Sequence, residues 1–181
     1  MPGSEAVHAE SVTPSSYHLA MIDLPIEVIR SKKRKRTVQA RFADGRLRVM
    51  MPDGLSPEEE ARLVETMRAR LTRKLSSAEV DLDQRARELS QRYGLPTPIS
   101  TEWSDRQMRR WGSCTPSQGR IRISNRMASM PGWVLDWVLI HELAHLEEAD
   151  HGPRFKALVG RYELAERAKG YLIAKGEEAL K

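Results

Sequence analysis

The chain has 181 residues, 40% hydrophobic and 30% charged, proportions of a globular domain that exclude fibrous, collagen-like and wholly disordered classes. Lys and Arg number 30 against 25 Asp and Glu, and the resulting net charge of +5 permits an acidic partner without demanding one. The apolar runs fall short of the roughly 18 residues that cross a bilayer, the N-terminus lacks a signal-peptide pattern, and a single cysteine, Cys114, fits a reducing, cytoplasmic setting.

Residues 1–20, rich in Ser, Pro, Ala and Glu and without periodicity, read as a disordered leader. Residues 21–55 read as a β-hairpin subdomain: two extended segments, about 26–42 and 46–51, flank Asp44-Gly45, a strong two-residue turn signal. Alternation puts Val38, Ala40 and Phe42 on one face. Arg30-Ser31-Lys32-Lys33-Arg34-Lys35-Arg36 carries six cations in seven residues. It reads as a solvated loop or edge strand whose lysines block edge pairing. The other reading is a nucleic-acid contact through Lys32, Lys33, Arg34, Lys35 and Arg36, though the run has no interleaved aromatics for base stacking.

Ser56-Pro57-Glu58-Glu59 opens a helix, with Ser56 as N-cap, proline at the first helical position and acids in the first turn. It should run to about Leu75. A second helix follows from near Ser77, with Val80, Leu82, Ala86, Leu89 and Tyr93 on one stripe, and stops at Gly94 and Pro96. Residues 99–125 read as short strands. Ile121 and Ile123 face a core, and the turn Ser117-Gln118-Gly119 joins their strand to Trp111-Gly112-Ser113-Cys114, where Trp111 and Cys114 read most simply as packing residues. Ser129 is the expected cap of a third helix over 131–148, apolar nearly all round and therefore interior. A last helix is expected over 153–174.

Inside the apolar helix lies His141-Glu142-Leu143-Ala144-His145. Histidines four apart share a helical face, so both rings can reach one metal ion, while Glu142, about 100° further round, can reach a water on that ion. Such polar groups are costly in an apolar helix unless something engages them. A hydrolytic zinc site takes three protein ligands. The third is His151, reached if the chain breaks at Ala149-Asp150-His151-Gly152-Pro153, or a carboxylate of the last helix, Glu163 or Glu166.

Over about residues 20–175 the sequence resembles the YgjP-like metallopeptidases, themselves similar to the SprT-like and WLM zincins. The resemblance rests on Ile29-Arg30-Ser31-Lys32-Lys33-Arg34-Lys35-Arg36, on Asp44-Gly45 and on Trp111-Gly112-Ser113-Cys114. Its most specific part is Val138-Leu139-Ile140-His141-Glu142-Leu143-Ala144-His145 followed by His151-Gly152-Pro153-Arg154-Phe155. It implies an α+β, zincin-like fold over residues 56–181, an active-site helix packed on a small mixed β-sheet, with the β-hairpin as an N-terminal extension. It further implies one Zn2+ per chain held by His141, His145 and His151, and Glu142 as the catalytic glutamate of a metallopeptidase that attacks with a zinc-bound water. Metzincins share the spacing to His151, but their glycine after the second histidine is here Glu148. A proline that members commonly carry after Leu158-Val159-Gly160 is absent, which leaves the path of the last helix open.

By analogy with zincins, the strand over 120–125 would edge the cleft and pair with an extended peptide, making Arg122 and Ser124 candidate substrate contacts. Tyr162 and Arg154 are candidate donors to the substrate oxyanion. The expected partner is a peptide or protein substrate, with no membrane. The alternative is a nucleic-acid-associated zinc module that uses residues 30–36 and has little or no peptidase activity.

Overall fold

A strand that follows a tight turn pairs along one edge and leaves the other to be filled, and the N-terminal residues fill it with a third strand. The computed structural model describes residues 25–175; the expected leader lies outside them. Strands β1 (Ile26–Ser31), β2 (Gln39–Ala43) and β3 (Arg46–Pro52) form a sheet of order β1-β3-β2, with β2 antiparallel and β1 parallel to β3. Asp44 and Gly45 turn with φ of 52° and 70°, the paired positive values of a two-residue hairpin. The extension is thus a mixed sheet rather than a bare hairpin. The single extended segment expected over 26–42 breaks where the cations crowd. Like charges on neighbouring paired positions repel, and Arg34 folds back so that its guanidinium donates to Thr37 Oγ1 (3.2 Å) and Gln39 Oε1 (3.1 Å).

Helix α1 (Pro57–Ala78) starts in a capping box: Ser56 Oγ accepts from the Glu59 N–H and the Glu59 carboxylate accepts from the Ser56 N–H. Its Leu63, Val64, Met67 and Leu71 cover Leu47, Val49 and Met51 of β3, a small core of its own. Phe42, on the strand face expected to be buried, is 51% exposed.

The larger core contains α2 (Leu82–Tyr93), β4 (Ser100–Ser104), β5 (Gly112–Thr115), β6 (Arg120–Ser124), α3 (Gly132–Ala144), α4 (Pro153–Val159) and α5 (Ala165–Ala174). Its sheet has the order β4-β6-β5, with β4 parallel and β5 antiparallel to β6. Every residue of α3 from 134 to 144 is buried, between this sheet and helices α2, α4 and α5. The apolar circumference of α3 is what makes it the centre of the domain.

Two helix boundaries differ from the sequence expectation. Pro131, not Ser129, precedes α3, and Ser124 caps a short 3-10 turn over Asn125–Ser129. The last helix is two helices, broken at 160–164. There the Arg161 guanidinium donates to the Tyr93 and Gly94 carbonyls (2.7 and 2.9 Å), closing the C-terminal end of α2, and Tyr162 turns inward. Among the described residues, no helix is long and apolar enough to cross a membrane.

Asp136, on the buried face of α3, receives both Nε (2.8 Å) and Nη2 (2.6 Å) of Arg85, tying α2 to α3. Arg85 keeps 43% of its side chain exposed, which moderates the cost of stranding it. Asp136→Ala is expected to lower the unfolding free energy by about 2–3 kcal/mol, read from the urea midpoint. Asp105→Ala removes the exposed pair with Arg70 (3.2 Å) and should cost less than about 0.5 kcal/mol. Equal midpoints for the two variants would contradict this ranking.

Candidate metal centre

His141 and Glu142 are buried near the C-terminal end of α3, 5% and 3% exposed. Burial, with His145 and His151 adding to it, pushes the His141 imidazole down to about 3, so the ring is neutral across the ordinary pH range. Burial likewise pushes the Glu142 carboxyl up to about 8, with the Arg110 charge working against it.

His145 closes α3 as its C-cap, where burial lowers its pKa. Its Nδ1 lies 2.9 Å from the Glu148 carbonyl, which assigns the proton to Nδ1 and leaves Nε2 as a lone pair. The helix was expected to reach Glu148 but ends four residues sooner. Bonds from Leu146 N–H to the Leu143 carbonyl and from Glu147 N–H to the Ala144 carbonyl tighten its last turn, and the chain reverses.

That reversal returns His151 to the two helical rings. His151 Nε2 lies 3.0 Å from His145 Nε2 and 3.2 Å from His141 Nε2, and the three ligand atoms fall within 4.8 Å of one another. A tetrahedral ion with nitrogens at about 2.0–2.1 Å spaces them about 3.4 Å apart, close to what the rings adopt. Three Nε2 atoms turned toward one point cannot all satisfy one another by hydrogen bonding, whereas a shared cation satisfies all three. The group could therefore hold a metal ion, and imidazole donors suit zinc, copper, iron or nickel.

Two residues matter here beyond the expected set. Phe155, in the first turn of α4, is buried beneath all three imidazoles, its ring centre 4.8, 4.5 and 4.6 Å from those of His141, His145 and His151. In the sequence it closes the motif His151-Gly152-Pro153-Arg154-Phe155, with nothing to show that its ring lies against the histidines. Gly112, at the start of β5, lies against Glu142: an added Cβ would sit 2.5 Å from Glu142 Oε1 and 2.7 Å from its Cγ. Its place in Trp111-Gly112-Ser113-Cys114 gave no hint of that approach.

The remaining candidates are engaged elsewhere. Glu163 accepts from the Tyr93 hydroxyl (3.1 Å) and Glu166 pairs with Lys169, so neither joins the histidines. Arg154 pairs with Glu148 (2.9 Å) and Glu147 (3.7 Å) and braces the reversal. Tyr162 donates its hydroxyl to the Trp133 carbonyl (2.9 Å). The Cys114 thiol is pushed up to about 11 by burial and by Glu142, which keeps it protonated, and it packs on the core. Trp111 is buried under the Arg126 guanidinium, 4.0 Å from the ring centre.

The strand expected to edge the cleft does not. Strand β6 is the middle of its sheet, bonded to β4 and β5, and has no main-chain edge to offer; β4 and β5 are the edge strands, and β5 carries Gly112 against Glu142. Arg122 pairs with Glu102 (2.9 Å), and Ser124 is buried with its hydroxyl donating to the Gln107 carbonyl (2.8 Å). Lys32, Lys33, Lys35 and Arg36 are exposed on the connection between β1 and β2, in the other sheet.

A family model described as YgjP-like, metallopeptidase domain, matches residues 58–167, more than half of the chain. No curated protein sequence matches it. Among solved structures, the crystal structure of the metallopeptidase zymogen of Pyrococcus abyssi abylysin aligns with 55% of this chain and 100% of its own, at 19% identity and a TM-score of 0.49.

Protein loaded with Zn2+ should carry about one ion per chain by elemental analysis and lose most of it in His151→Ala, while Glu163→Ala and Glu166→Ala keep the full complement. Phe155→Ala should weaken metal affinity roughly 10-fold or more in competition with a chromophoric chelator. Unchanged affinity would reduce Phe155 to core packing.

Proposed function

The chain belongs to the YgjP-like metallopeptidase family, and on that premise we propose that it hydrolyses peptide bonds with a zinc ion held by His141, His145 and His151 and with Glu142 as the proton-transferring carboxylate. The observation that carries this reading is the convergence of three imidazole Nε2 atoms, at 3.0 and 3.2 Å, next to a buried carboxylate on the same helix. When bound, zinc supplies a Lewis acid that acidifies water and polarises a carbonyl.

The chain's own groups do the rest. Glu142, whose carboxyl burial pushes up, is in its ionised form a stronger base than an ordinary carboxylate, able to take a proton from water and to return it to the leaving amine. Within the described residues its carboxylate has no hydrogen-bond partner, so it is free to do both. Gly112 leaves room for that carboxylate, and the open edge of β5 offers main-chain groups to an extended substrate. The Glu148 carbonyl fixes the His145 tautomer, and Arg154 holds the Glu148 side chain.

Glu142→Gln should keep its zinc and lose chelator-sensitive cleavage of an unfolded protein by about 10²–10⁴-fold, followed by mass spectrometry of the products. Retained cleavage in this variant would remove Glu142 from the mechanism. In Gly112→Ala the displaced carboxylate should cost on the order of 10²-fold in kcat with metal content unchanged.

A further inference from the structure

The six-cation segment takes no part in the candidate metal centre, yet it stands beside a groove of the molecule. A groove of about 910 Å³ runs between the two sheets, walled by β2 on one side, by α1 on another and by the end of β4. Its floor is apolar, formed by Val38, Ala40, Met50, Met67, Leu71 and Trp103. Its rim is cationic: Arg41, Arg70 and Lys74 face one acid, Asp105, which Arg70 already pairs. Arg41 and Lys74 have no ion-pair partner among the described residues.

Three further observations bear on what fits there. First, β2 is an edge strand whose sheet neighbour is β3, so one row of N–H and C=O groups along Gln39–Ala43 has no strand partner among the described residues. An unpaired edge above an apolar floor is a template for an added strand. Second, the basic segment lies beside the groove. Arg34 anchors it by donating to Gln39 Oε1 (3.1 Å) and lying 3.9 Å from Met50 Sδ, both groove residues, while Lys32, Lys33, Lys35 and Arg36 point into solvent. Third, the chain that leaves the groove continues to the candidate metal centre. Asp105 begins the loop that carries exposed Arg106, Arg109 and Arg110 and enters β5 at Gly112, in contact with Glu142.

We propose that this groove docks an extended acidic segment of the polypeptide substrate, added as a strand to β2 with apolar side chains on the floor and carboxylates toward the cationic rim. The proposal rests on the peptidase reading, and it concerns a part of the substrate separate from the bond being cut. Residues of a strand alternate between faces, so the occupant alternates acidic and apolar residues. A nucleic acid would meet a largely apolar lining and offer no repeating peptide backbone to match the edge of β2, and among the lining residues Trp103, half-buried, is the one aromatic side chain available for stacking.

The test uses zinc-loaded full-length Glu142→Gln, so that binding is read without cleavage and its failure stays distinct from failure of the peptidase reading. The probes are fluorescein-labelled decapeptides of alternating Glu and Val or alternating Lys and Val, and a single-stranded decanucleotide, followed by fluorescence anisotropy. The acidic peptide should bind at least about 10-fold tighter than the basic one and weaken with salt. Adding Arg41→Glu and Lys74→Glu should reverse the preference. On adding the acidic peptide, the amides of residues 39–43 should gain protection from hydrogen exchange, a readout that needs no change to the groove. Equal affinity for the two peptides, tighter binding of the oligonucleotide, or no gain in protection would overturn the proposal. So would full protection of these amides before any peptide is added, the mark of a segment of this chain or of a second copy already in the groove.

Discussion

The polar groups of the candidate centre are held in place by being buried. Helix α3 is apolar on every side, so it sits at the centre of the larger core, and His141 and Glu142 go inside with it. Desolvation then fixes both protonation states in the useful direction, a neutral imidazole and a carboxyl poised near neutrality. The same burial makes the surroundings rigid, because Trp137 and Phe155 press on the His141 ring from separate elements. Everything else at the centre depends on that helix being where its hydrophobicity puts it.

Around that fixed point the chain makes two tight turns of different purpose. The reversal after Ala144 returns His151 to the histidine face within a few residues, and Arg154 braces it through Glu148. The loop before β5 brings a glycine, with no side chain to intrude, against Glu142 and leaves the free edge of a sheet alongside. The histidine group and the edge of β5 beside Glu142 are each supplied by a short, separate stretch of sequence.

Local signals were legible. Ser56 and Glu59 announced the start of α1, Asp44-Gly45 its hairpin, and the alternation around Ile121 and Ile123 a strand with a buried face. The three histidines at their spacing could be read as one group, and the structure brings their nitrogens together. What could not be read depends on partners far away in the chain. Whether β5 or β6 is the edge is decided by β4, which pairs in parallel with β6 some 20 residues earlier. The break in the last helix depends on Arg161 reaching the carbonyls of Tyr93 and Gly94. The basic segment divides β1 from β2 because β1 finds a parallel neighbour in β3, a pairing no turn signal encodes. Gly112 and Phe155 look unremarkable in one dimension for the same reason: their importance is a contact, and each contact crosses between elements.

The three nitrogens that converge come from residues 141–151, a span of one helical turn and one reversal. Closing so short a loop costs little chain entropy, and contacts this local form early when a polypeptide collapses. An ion held there would therefore be a clip fastening α3 to the segment leading into α4 before either sheet has found its long-range partners, and metal supply during synthesis would then bear on the yield of folded protein.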